Sequence, residues 1–279
     1  MKKRKTYDEL TFTDDFLFCK ILTSNLEICR QLLELIIGIK IKEVRQAEAQ
    51  KAVSVTYDGR GVRFDVYVED DQNTVFDIEM QVIRDEFLPK RMRYYQGMID
   101  LNLISAGAKY SALKKTYIIF ICMHDPLNSG LPVYHIESTC REDSSIKFND
   151  EAEKIIVNVK GSREGLSPEM NAFFDYLTDA YVGDNFTEAL ETEVEKAREH
   201  IEWRTDYMSL LEKYEIEREE GRAEGRAEGR AEGRVESREE NAKAMLKDNM
   251  DVKLVVKYSG LPESQVLMLK ASLAPYEVN

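Results

Sequence analysis

VRFDVYVEDDQNTVFDIEMQV, running from Val62 to Val82, decides how this chain is read. In its first half Val62, Phe64, Val66 and Val68 alternate with Arg63, Asp65, Tyr67 and Glu69. In its second half Phe76, Ile78, Met80 and Val82 alternate with Val75, Asp77, Glu79 and Gln81. A period of two marks β-strands, whose side chains point to opposite faces in turn. Asp70-Asp71-Gln72-Asn73 supplies turn residues between the two runs, which predicts a hairpin. Burying one face fixes the register, since a slip of one residue would turn every apolar side chain outward. The two apolar sets must then coincide, and Asp65 lies opposite either Asp77 or Glu79, depending on loop length. Either way Asp65, Asp77, Glu79 and Gln81 converge on one face.

A plain amphipathic hairpin would turn that face to water. Two features favour a covered site instead. Carboxylates packed together repel one another unless a cation or a raised pKa relieves them. Further on, KTYIIFICM (Lys115–Met123) is a continuous apolar run, suited to a strand buried on both faces of its sheet. A covered cluster of carboxylates favours Mg²⁺ or Mn²⁺ over zinc.

Working outward, Thr13 is a plausible N-cap for a helix through Phe16, Leu17, Ile21 and Leu22, and Leu26–Ile37 has helical spacing up to Gly38. The period turns from 3.6 to 2 between Val53 and Val82 and returns to helical over Leu88–Leu103. Val133–Ile136 and Lys154–Val159 suit short strands, and Ser167-Pro168 suits a helix start. Helices alternating with strands predict an α/β fold with helices packed on a mixed central sheet.

After Tyr214 four tetrads follow one another, from Gly221-Arg222-Ala223-Glu224 to Gly233-Arg234-Val235-Glu236. On a helix each tetrad turns about 400°, so like residues form slowly winding stripes. Arg and Glu within the repeat never stand three or four residues apart, so their partners are expected on another helix. The four glycines weaken an isolated helix by roughly 3–4 kcal/mol. A self-association helix and a solvated tether are both compatible with this. In the tail, Asp251 caps one short helix, and Pro262 starts another after Ser259-Gly260-Leu261. Only Lys270 is basic in the second helix, so a packing hairpin is expected there rather than a DNA-reading unit. The expected divisions are 1–215, 216–240 and 241–279.

The 279 residues carry a net charge of −13, which opposes nucleic-acid binding on average. Locally the balance reverses. Between Arg84 and Lys115, Arg84, Lys90, Arg91, Arg93, Lys109, Lys114 and Lys115 outnumber Asp85, Glu86 and Asp100. The four cysteines show no paired metal spacing, and the basic amino terminus has no apolar segment behind it. No apolar stretch is long enough to span a membrane. These features together predict a cytoplasmic protein with reduced thiols. Phosphate-loop and dinucleotide glycine spacings are missing, and the three histidines share no motif.

Asp65 followed by Glu79-Met80-Gln81 resembles the D…(D/E)-x-K signature of restriction-endonuclease-like folds, with Gln in the Lys position. TFTDDFLFCKIL (Thr11–Leu22), the IEMQ strand, RMRYYQGMI (Arg91–Ile99), the tetrads and the tail resemble one family of that PD-(D/E)XK superfamily, the recombination-promoting nucleases and transposases. The resemblance implies a Mg²⁺-dependent DNA endonuclease linked to recombination or mobile elements. It further implies metal ligation by Asp65, Glu79 and the Met80 carbonyl, with Asp77 nearby, and an attacking water oriented by Gln81. Arg91 or Arg93 would supply the charge that Lys provides elsewhere, and Asp15 would be an extra acid. Tyr94 or Tyr95 would position phosphate or pack in the core. A homo-oligomer formed through 216–240 suits double-strand cleavage. The alternative is a silent nuclease fold that binds and assembles without cutting.

Overall fold

The alternation of Val62–Gln81 becomes two neighbouring strands, β2 (Val62–Asp70) and β3 (Val75–Gln81), of a six-stranded mixed sheet. The structure is a computed structural model that describes residues 4–53 and 61–273. Residues 54–60, where the period of two was expected to begin, lie outside the described residues. β1 (Val44–Val53) runs antiparallel to β2, and β2 antiparallel to β3. β4 (Thr116–Cys122) lies parallel to both β3 and β6 (Ala152–Asn158), and β5 (Val133–Ile136) closes the far edge. The order is β1-β2-β3-β4-β6-β5.

Parallel neighbours need a crossover. Between β3 and β4 it is α3 (Leu88–Leu103), whose Leu88, Met92, Tyr95, Met98 and Ile99 bury against Ile118, Phe120 and Cys122 of β4. Ile119 and Ile121, pointing the other way, are equally buried, so both sheet faces are covered as the apolar run predicted. α1 (Asp15–Ser24) and α2 (Leu26–Ile37) pack on β1 and β2. α2 ends at Gly38, whose φ of 78° gives the left-handed cap that glycine adopts without strain. Thr13 is not the cap of α1. Asp14 stands there, its carboxylate accepting from the Thr11 backbone.

Two elements escaped the sequence reading. β1 (VRQAEAQKAV) is an edge strand rich in Ala, Gln, Lys and Glu, residues poor in β propensity but suited to a solvated edge. α5 (Asn185–Glu199) follows α4 (Pro168–Asp179) and buries only a thin stripe, chiefly Leu190, Val194 and Ala197.

The chain divides into two units, Met1–Tyr207 and Met208–Asn279. α6 (Ile201–Lys247) contains all four tetrads, and residues 221–236 are exposed throughout. In the second unit Ala242, Leu246, Val255, Leu261 and Val266 form a small core with α7 (Val252–Ser259) and α8 (Glu263–Leu273), and the Asp251 side chain caps α7. Among the described residues no helix is long and apolar enough to cross a membrane.

Candidate active site

The register decides which acids meet. Tyr67 stands opposite Asp77 and Val66 opposite Ile78, so continuing the ladder one step brings Asp65 to Glu79. At that step the sheet forks. β2 remains paired with β1 as far as Val62↔Val53, and β3 with β4 as far as Gln81↔Cys122, but β2–β3 pairing ends at Val66↔Ile78. Backbone donors at a fork need new partners. The Asp65 N–H donates to Glu79 Oε1 at 2.8 Å, and the Met80 N–H donates to Asp65 Oδ2 at 3.2 Å. Each carboxylate is thereby tied to backbone beside the other.

The fork also corrects the expected alternation. Val62 and Phe64 join Tyr67 in the apolar cluster beneath α3, while Val66 and Val68, equally buried, lie outside that cluster. The register places Gln50 of β1 across from Asp65, and its φ of 52° is left-handed, an irregularity at the point where the β2 faces change over.

Helices reach the fork from two directions. From α1, the ligand atoms of Asp15 and Cys19 lie with that of Asp65 within 4.8 Å of one another. The Cys19 thiol donates to the Asp65 carbonyl at 3.3 Å. From α3, Arg91 donates through Nη2 to Glu79 Oε2 at 2.6 Å, through Nη1 to Gln81 Oε1 at 2.8 Å and through Nε to the Tyr95 hydroxyl at 3.0 Å. Gln81 in turn donates to the Ile83 carbonyl. Asp77, two residues before Glu79 on β3, is fully buried, and neither of its carboxyl oxygens has a hydrogen-bond partner among the described residues.

Burial dominates the electrostatics of the cluster. It, and next Asp15, push the Asp65 carboxyl up to about 7. Burial and then Asp65 push Glu79 up to about 8. Asp77 rises well above the usual carboxylate range through burial, followed by Glu79 and Asp65. Arg91 opposes all three shifts without cancelling them. Crowded, dehydrated carboxyls with unpartnered oxygens are what a hard divalent cation relieves, so the oxygen donors here fit Mg²⁺ or Mn²⁺.

An open groove of ≈ 810 Å³ leads to Asp65 and is lined by Arg63, Phe87, Lys90, Arg91, Arg93 and Tyr94, among others. Arg91 thus stands inside the acid cluster, while Arg93 and Tyr94 line the groove. Of the two tyrosines, Tyr95 packs in the core and Tyr94 is exposed. The basic patch expected over Arg84–Lys115 is dispersed, because α3 separates its two ends. Lys114 pairs with Glu69 at 3.1 Å and Lys115 with Glu153 at 2.8 Å. Cys19 and Phe87 were not singled out from the sequence, and Lys90 only as one member of the basic stretch. The spacing that could have revealed them is helical: Asp15 and Cys19 at i, i+4, and Phe87, Lys90, Arg91 and Tyr94 at i, i+3, i+4, i+7.

Among curated proteins and among solved structures, none matches the chain. A family model described as PD-(D/E)XK nuclease family transposase matches residues 12–224. That span takes in α1 with Asp15, the forked hairpin with Asp65 and Glu79, and α3 with Arg91. The chain belongs to the PD-(D/E)XK nuclease family transposases.

Proposed function

We propose that the protein is a divalent-metal-dependent DNA endonuclease linked to recombination or mobile elements. The observation that carries this reading is the mutual tie of Asp65 and Glu79 at the fork, with Asp15 beside them. Asp65, Glu79 and the Met80 carbonyl would hold Mg²⁺ or Mn²⁺, with Asp77 as a further oxygen donor. Bound there, the metal lowers the pKa of a water and polarises the scissile phosphate.

The remaining work falls to the chain. Gln81 has an amide that can orient the attacking water but carries no charge. Arg91, held to both Gln81 and Glu79, supplies the positive charge that a lysine gives in the D…(D/E)-x-K signature, and so favours the phosphorane as negative charge builds on it. Lys90, Arg93 and Tyr94 line the path of the DNA strand. The exposed tetrad helix would join two or more copies, giving one site per strand of a duplex.

Plasmid nicking by the full chain tests this, with Mg²⁺ against EDTA. Nicking should require metal and disappear in Asp65→Ala and in Glu79→Ala. Nicking without metal, or surviving both substitutions, removes the proposal. The Arg91–Glu79 pair favours one second reading, a silent fold in which Arg91 occupies the place of the cation. Calorimetry showing no Mg²⁺ or Mn²⁺ binding at millimolar concentration would select it.

A further inference from the structure

We propose that Tyr207 and Asp206, in the first two turns of α6, are positioning residues of the active site, holding the start of α1 so that Asp15 stays beside Asp65. The inference rests on the nuclease reading and adds to its site a segment distant in sequence, within the same unit, Met1–Tyr207. α1 presents two adjacent stripes. Asp15 and Cys19, one turn apart, meet Asp65. Phe16 and Lys20 each follow by one residue, so they stand about 100° round the helix, and they meet α6 instead. The Phe16 ring lies edge-on to Tyr207 with centroids 5.2 Å apart, and the Lys20 ammonium is 2.8 Å from the Asp206 carboxylate. The same ammonium lies 5.9 Å from the centre of the Trp203 ring.

The hold is concentrated on the first turn of α1, where Asp15 sits. Tyr7 completes a buried aromatic trio, its ring centroid 6.2 Å from that of Phe16 and 5.8 Å from that of Tyr207. The Tyr207 hydroxyl donates to the Lys5 carbonyl at 3.0 Å, and the Lys5 ammonium pairs at 2.6 Å with Asp14, the N-cap of α1. Tyr207 therefore secures both chain neighbours of Asp15: Phe16 through its ring, and Asp14 through Lys5. The later turns of α1 have their own anchors, since Leu17, Phe18, Ile21 and Leu22 are fully buried. Loss of Tyr207 loosens the turn that carries Asp15 and leaves the rest of the helix in place.

A carboxylate serves a cation only within a narrow range of positions. Groups behind a ligand set that position, and losing one typically weakens metal binding about 10–100-fold. Tyr207 fits this part because it is enclosed and touches the site solely through the residues on either side of Asp15.

The experiment is Mn²⁺ calorimetry on the full chain, without DNA. Tyr207→Ala should weaken binding by about tenfold or more. Tyr207→Phe, which keeps the aromatic trio, should recover most of that loss. In an Asp15→Asn background Tyr207→Ala should cost nothing further, because the position it sets is no longer used. A merely structural loss would weaken both backgrounds alike. Asp206→Asn changes an exposed pair on which folding does not depend, and should give a smaller loss of about two- to threefold, again only while Asp15 is present. Unchanged affinity in Tyr207→Ala and Asp206→Asn, or equal losses with and without Asp15, overturns the proposal while leaving the nuclease reading intact. A wild-type chain that binds no Mn²⁺ overturns both.

Discussion

Glutamate appears in two opposite settings in this protein. Glu79 lies 1% exposed at the sheet fork, held by a backbone N–H and by Arg91, where burial and then Asp65 push its pKa up to about 8. Glu224, Glu228, Glu232 and Glu236 stand exposed along α6, one per tetrad. Water screens charges of the second kind and leaves them as solubility and pairing groups. Where water is excluded, the same side chain becomes a strained charge that takes up a proton, an arginine or a metal. The chemistry of a carboxylate here is a property of its enclosure.

The largest test of that contrast is activity. Glu79→Gln should lower metal-dependent nicking by a factor on the order of 10²–10³ or more, as loss of charge stabilisation at a reacting centre does. Glu228→Gln, measured in the same assay at equal protein concentration, should leave it within about twofold. Comparable losses from both would erase the distinction.

Stability should show the next effect. Arg91→Ala removes the partner of buried Glu79 and should reduce unfolding free energy by about 1.5–3 kcal/mol in urea titrations at pH 7. The loss stays below that of a trapped ion because Glu79 can take a proton. A change under about 0.5 kcal/mol would mean that the pair contributes nothing.

The pH response follows with a definite sign. Asp65 and Glu79 have folded pKa values of about 7 and about 8, raised from 3.8 and 4.5. The folded state therefore binds more protons between about pH 4 and pH 8, so in EDTA stability should fall as pH rises through that window and level off above it. Melting curves at pH 5 and pH 9 read this directly. Mg²⁺ should recover stability at pH 9, and Glu79→Gln should flatten the profile. A profile rising from pH 5 to pH 8 would contradict the raised values.

Smallest is the backbone effect in the tetrads. A Cβ added at Gly225 meets no atom within 4 Å, so Gly225→Ala should stabilise the helix by up to about 1 kcal/mol, seen as gained helicity by circular dichroism. The same variant probes assembly. If two helices approach closely along the glycine stripe, light scattering should show a smaller particle despite the gain in helicity, whereas a solvated tether would leave the mass unchanged.

Legibility in the sequence followed burial pattern. β3 and α3 were readable because their apolar residues repeat at one period along the element, and β4 because its apolar run is unbroken. β1 was not, since an edge strand needs few apolar residues, and α5 was not, since three buried apolar positions in fifteen make a faint stripe. Asp65 and Glu79 stood out as acids between apolar neighbours. Cys19 did not, because a thiol among Phe, Leu and Ile looks like ordinary core, and only the packing of α1 on β2 brings it to Asp65.

Sequence alone determined the paired strands, the convergence of acids on them and the tetrad stripes, because strand and helix periods are local properties of the backbone. Tertiary structure decided that Asp65 meets Glu79 rather than Asp77, that the sheet forks there, and that Arg91 turns inward while Lys90 and Arg93 stay in the groove. Those outcomes depend on which neighbour covers each face and where strand pairing stops, and long-range packing sets both.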